Sequence, residues 1–300
     1  MAIVERRGRT VSFVDDRGTL LHVVPDGAEG PVVLFVQGLA GAWFEWDPVV
    51  PLLSADYRLV RFDRPGLGWS QQEGARAPRP QTLVGEAERL GRVLDGVGIA
   101  ADERVVLVAH SYGAFHAEAF ARLHPERVAG VVFVDASVEP DITPAAGGPW
   151  PGRAWTVGQR LARATQLTGL NQVVGPAVRR LVYQAASTTR RDPDPELGRT
   201  VYRSSRVARA VANELASYRA AAVALLELRC ELPFPEVLVQ VLVGAAGAGA
   251  GGHAADWLER QRGFAGLFPG AEVVELADAK HLIAADRPDA VATAVRSLGF

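Results

Sequence analysis

The chain has 300 residues, a formal net charge of −2, one cysteine, and 48% hydrophobic content. A balance so close to neutral gives no strong field for nucleic acid or an anionic membrane. The lone thiol, Cys230, excludes an internal disulfide and a thiolate metal cluster, and the apolar content suffices for one large domain or two small ones. The N-terminal MAIVERRGRT has no secretory apolar core and no apolar run nears transmembrane length, so a soluble cytoplasmic protein is expected. Lys280 is the only lysine, and arginine carries the rest of the basic charge.

Residues 10–14 and 19–24 predict two short strands joined at Asp15-Asp16-Arg17-Gly18, an antiparallel hairpin opening the sheet. Val32 to Val36 is a continuous apolar strand that runs into the small-residue loop Gln37-Gly38-Leu39-Ala40-Gly41-Ala42. A helix near 46–53 follows, then a strand over 57–62 that leads into Asp63-Arg64-Pro65-Gly66-Leu67-Gly68-Trp69-Ser70. Leu83, Ala87, Leu90, Val93 and Leu94 recur at helical spacing over 80–97. Val105 to Ala109 has no polar break and predicts a strand buried on both faces, followed by an Ala-rich helix over 112–124 that stops at Pro125. Val131 to Val134 is another strand, ending at Asp135.

After Asp135 the strand rhythm stops for about a hundred residues. Helical patterns over 153–167, 173–183 and 197–228 predict an inserted cap. Residues 139–232 carry thirteen arginines against eight acids, net +5. A basic cap would favour anionic substrates, whereas solvated helix faces are the plainer reading. The sheet resumes at 237–243. A Gly/Ala run over 244–252, a helix over 255–268, a strand over 272–276 and a last helix over 288–298 complete the chain.

This alternation predicts an α/β fold: a mostly parallel eight-stranded sheet with helices on both faces. The core comprises 1–138 and 236–300, and 139–235 forms the helical cap. In such sheets the ligand site lies beyond the carboxyl ends of the strands, where Gln37-Gly38, Asp63, Ser111 and Asp135 fall.

Ser111 sits between a buried strand and a helix, with Ala109 and Gly113 two residues to either side. Small residues at both places allow the sharp turn of a nucleophile elbow. A hydroxyl needs a base, and histidine is best matched to neutral pH. Strand alternation should turn His110 away from the serine, and His116 and His124 lie too far back on the following helix. His281, just past the last strand, opens on the same edge and is the expected base. Asp135 is preferred as the acid that orients it; Asp256 and Asp278 remain alternatives. The backbone N–H groups of Leu39 and Tyr112 are the expected oxyanion donors, with Gln37 and Gly38 at the substrate. No metal or organic cofactor is required, and the implied partner is a small molecule.

The Gln37-Gly38-Leu39 loop, Asp63 to Ser70, Ala109 to Gly113, Val134-Asp135-Ala136-Ser137, and His281 with Arg287-Pro288-Asp289 behind it together resemble the α/β-hydrolase superfamily, most of all its lid-bearing esterases. Two departures stand out. Members usually have His-Gly where this chain has Gln37-Gly38. Their acid most often follows the seventh strand, where this chain has only Gly and Ala. A subset, including some haloalkane dehalogenases, carries the acid after the sixth strand, the position that Asp135 matches. Those dehalogenases use an aspartate nucleophile where this chain has Ser111, which argues against dehalogenation and epoxide opening by that route. The resemblance implies a carboxylesterase-like serine hydrolase. The alternatives are carbon–carbon bond hydrolysis or perhydrolysis on the same triad, or a binding protein of the fold without catalysis.

Overall fold

The computed structural model describes residues 2–6, 9–27, 29–72, 81–139, 167–246 and 253–300, with isolated positions between 156 and 164. Nine strands form one sheet: β1 (Ala2–Arg6), β2 (Arg9–Asp16), β3 (Thr19–Asp26), β4 (Val32–Val36), β5 (Arg58–Phe62), β6 (Val105–His110), β7 (Val128–Val134), β8 (Leu238–Gly244) and β9 (Glu272–Leu276). The eight expected strands are all present, and β1 precedes them as an added edge strand paired with β2. The order is β1-β2-β3-β5-β4-β6-β7-β8-β9. β1, β2, β3 and β5 pair antiparallel in succession, and β5, β4, β6, β7, β8 and β9 pair parallel.

The parallel centre is buried on both sides because its sequence has no polar face. Every residue of β4 (VVLFV) and β7 (VAGVVFV) is buried, as are the first five of β6. One face is covered by α2 (Leu83–Gly96) and α3 (Gly113–Leu123), which contribute Leu83, Leu90, Val93, Phe115 and Phe120 to a common core. On the other face, Leu53 of α1 (Val50–Leu53) packs in a second core, which also takes up Val291 and Val295 from the C-terminal helix. Each fully buried Val or Leu contributes about 1.5–3 kcal/mol, so the two layers fix the strands whose ends carry the polar residues.

Among the described residues, three long helices lie between β7 and β8: α4 (Asn171–Ala186), α5 (Pro195–Tyr202) and α6 (Ser205–Glu231). The single pattern read over 197–228 is two helices. Ser204 takes an extended conformation (φ −80°, ψ 130°), and its hydroxyl accepts from the Arg206 N–H, starting α6 afresh. Asp194 caps α5 in the same way, with Pro195 in its first turn. Most of the pattern read over 153–167, and the Gly/Ala run after Ala246, lie outside the described residues. The chain closes with α7 (His253–Ala265), α8 (Ile283–Asp286) and α9 (Pro288–Ser297). Among the described residues, no helix is long and apolar enough to cross a membrane.

Candidate active site

Ser111 stands between β6 and α3 with φ +51°, a left-handed backbone that a non-glycine residue adopts only under strain. Its N–H is held by the Val134 carbonyl at 3.1 Å, and its own carbonyl accepts from Ala114 and Ser137. The small residue at 113 has a direct reason. A Cβ on Gly113 would stand 2.6 Å from the carbonyl oxygens of both Val36 and Gln37. The helix starting behind the serine is thereby pressed against the end of β4.

Asp135 leaves β7 with φ +43°, and its side chain is buried. One carboxylate oxygen lies 2.6 Å from Nδ1 of His281. The other accepts from the Gly244 N–H at 2.9 Å and from the indole N–H of Trp257 at 3.0 Å. Those two donors fix the direction of the carboxylate. Gly244 is itself under constraint, since a Cβ there would meet the Lys280 carbonyl oxygen at 2.4 Å. That close approach brings the Lys280-His281 loop down onto the end of β8. The loop is anchored further by Asp286, which accepts from the N–H groups of Lys280 (3.0 Å) and Thr188 (2.9 Å) and from the Ser187 hydroxyl.

The two alternative acids lie elsewhere. Asp256 is exposed in the first turn of α7, one residue from the Trp257 that serves Asp135. Asp278 pairs with Arg287 at 2.8 Å.

His110 departs from expectation. Strand alternation should have turned it from the site, but β6 ends there and its ring packs 4.7 Å from that of His281. Its Nε2–H donates to the His281 carbonyl at 2.9 Å. Burial, with the imidazole of His281 close by, lowers its pKa to about 3, so it is a neutral donor. Ser137, also unforeseen, has its hydroxyl 3.5 Å from that of Ser111. Among the described residues, this is the one hydrogen-bond contact of the Ser111 hydroxyl.

The loop after β4 is clamped from below. Arg64 donates to the carbonyls of Gln37 and Gly38, both at 2.6 Å, and to Glu214 of α6 at 2.6 Å. Glu214 in turn accepts from the Ala40 N–H at 2.7 Å, where φ is +61°. Among the described residues, the N–H groups of Leu39 and Tyr112 have no protein acceptor. Gly38 is bounded tightly: a Cβ there would meet the His110 ring at 2.8 Å and the Ser111 Cβ at 3.2 Å. Gln37 does not meet the cavity as expected. It is buried, and its amide donates to the Phe62 carbonyl beneath the loop, so it supports the backbone from behind. Asp63 is likewise structural. It is buried and accepts from His22 (2.7 Å), Trp43 N–H and Trp69 N–H (both 3.0 Å).

Ser111, His281, His110, Gly38 and Leu39 line one cavity of about 510 Å³, roofed by residues of α4, α5 and α6. No group of three or more His, Cys, Asp or Glu side chains able to hold a metal occurs among the described residues.

Residues 33–294 match the model of the alpha/beta hydrolase family. The chain belongs to that family. Among the chain's relatives, epoxide hydrolase B of Mycobacterium tuberculosis is 40% identical over 121 residues, covering 39% of this chain and 32% of that protein. The chain therefore matches about a third of that curated relative's length. Among solved structures, Cfl2 from Burkholderia cenocepacia is similar with a TM-score of 0.73 and 24% identity, covering 96% of this chain and 95% of that one. A thermophilic esterase from Thermogutta terrifontis is similar with a TM-score of 0.67 and 23% identity, covering 96% and 97%. At those identities, the likeness shows a shared fold.

Proposed function

We propose that this hydrolase cleaves a carboxylic ester, or a related acyl bond, of a small molecule through an acyl-enzyme on Ser111. The observation that carries the reading is the 2.6 Å contact of buried Asp135 with His281, which lines the same cavity as the strained Ser111. With Nδ1–H given to Asp135, the His281 imidazole keeps Nε2 free to take a proton. Turning the Ser111 hydroxyl from Ser137 toward His281 completes the relay. Such contacts are often long before substrate binds.

The serine oxygen then attacks the carbonyl carbon while its proton passes to His281. The N–H groups of Leu39 and Tyr112 hold the oxyanion, aided by the N-terminus of α3. His281 returns the proton to the leaving alcohol. Water, deprotonated by the same imidazole, releases the acid and regenerates the serine. The helices within 139–235 act as the cap that shields these steps from bulk water.

The chemistry named for the epoxide hydrolase does not carry over to a serine. Attack of a serine oxygen on an epoxide would leave an ether, which water does not cleave under these conditions. An acyl-serine is an ester and turns over.

The test is a fluorophosphonate probe with p-nitrophenyl ester assays alongside. Covalent labelling at Ser111, lost in Ser111→Ala, with ester turnover lost in parallel is the expected result. A folded wild-type protein that is neither labelled nor turns over any ester would overturn the proposal and favour the binding-protein reading.

A further inference from the structure

The roof of the Ser111 cavity is apolar in a regular way. On α4, Val174, Val178 and Val182 recur every four residues and share one side of the helix; on α6, Val207, Val211 and Leu215 do the same. Four of these six remain wet: Val174 is 41% exposed, Val178 52%, Val182 45% and Leu215 60%. Apolar side chains left in contact with water inside a concavity, beside a reactive hydroxyl, favour an apolar ligand that dries them.

The polar end of the cavity is already satisfied. Arg179 gives Nε and Nη2 to Asp192 at 2.6 and 3.0 Å and Nη1 to Glu45 at 3.1 Å. Its guanidinium also lies 4.7–4.8 Å from the ring centroids of Phe44, Tyr183 and Tyr202. The Tyr202 hydroxyl donates to the Ala40 carbonyl at 2.7 Å. Among the described residues, Arg179 is the one arginine lining the cavity, so the basic charge of the cap does not reach it as a spare cation. Glu45 beside it already takes the Arg179 Nη1–H, and His110 is neutral, so among the described residues no free cation awaits an anion there.

Building on the acyl-transfer reading, we infer that the substrate is a neutral ester with an unbranched apolar chain, seated along Val174, Val178 and Val182 against the α6 row. The row from 174 to 182 runs about 12 Å along its helix, the extended length of a chain of roughly ten carbons.

The test uses the Ser111→Ala protein, which cannot turn over, and measures binding of neutral methyl ketones by calorimetry. Each buried methylene strengthens binding by roughly fourfold, so 2-octanone should bind at least about 50-fold more tightly than 2-butanone. The octanoate anion should bind at least about tenfold more weakly than 2-octanone. Adding Val178→Asp, at a position half open to solvent, should weaken 2-octanone at least about tenfold. Unchanged thermal unfolding of that variant would show the fold intact. No dependence on chain length, tighter binding of octanoate, or indifference to Val178→Asp would each overturn the inference. The acyl-transfer reading is judged separately, by ester turnover in the wild type. If ketone binding grows with length while no ester is hydrolysed, that reading fails and the apolar site stands. Ester turnover without length-dependent binding gives the converse.

Discussion

Glu214, near the middle of the longest helix, meets Arg64 at 2.6 Å with both side chains fully buried. The same pair holds the carbonyls of Gln37 and Gly38 and the N–H of Ala40. One ion pair thus joins the helices over the cavity to the loop proposed to hold the oxyanion. Glu214→Gln leaves a buried guanidinium without its counter-charge, which should cost about 3–5 kcal/mol in chemical denaturation. The double variant Arg64→Met/Glu214→Leu should regain much of that stability but not the ester turnover, because the two carbonyls lose their donor. A loss below about 1 kcal/mol for Glu214→Gln would show that the pair does not hold the loop.

Exchanging the carboxylates discriminates the proposed acid. Asp135→Asn keeps the shape but reverses the imidazole tautomer, and turnover should fall by about 10⁴-fold. Asp256→Asn, on an exposed turn, should change it by less than about threefold, since surface substitutions are usually near neutral. Steady-state kinetics of both variants against one p-nitrophenyl ester reads the difference. Loss of activity in the second alone would refute the assignment of Asp135.

His110 predicts a pH result. Burial, with His281 close by, lowers its pKa to about 3, so it stays uncharged throughout the working range. His110→Gln keeps a donor for the His281 carbonyl and removes no charge. The acid limb of the kcat/KM profile should therefore stay within about 0.3 pH units of wild type. A larger displacement would mean that His110 carries charge during turnover.

His116 predicts acid sensitivity of the fold. Its ring is 1% exposed, both nitrogens lack partners among the described residues, and burial holds its pKa well below the usual histidine value. The unfolded chain takes up a proton near pH 6.5 that the folded chain refuses. Stability attributable to His116 is thus complete above about pH 6.5 and falls below it, by up to about 1.4 kcal/mol per pH unit. His116→Leu should flatten the fall in Tm between pH 7 and pH 5. An equally steep fall in the variant would exclude His116 as its source.

The sequence alone determined eight of the nine strands in chain order, the sharp turn at Ser111 and the lining-up of Asp135 and His281 on one edge. These follow from local rules. Apolar runs without polar breaks make buried strands, small residues permit a sharp turn, and parallel strands deliver their loops to the same side. Tertiary structure decided what meets across that edge. The choice of Asp135 over Asp256 and Asp278 rests on Trp257 and Gly244, which lie more than a hundred residues away and approach only when β8 pairs with β7. His110 was misplaced because alternation stops being a guide where the strand ends. Glu214 was invisible because a lone acid in a helical pattern reads as solvated until a buried arginine 150 positions away reaches it. Side-chain contacts between segments remote in sequence depend on packing, which local spacing does not encode.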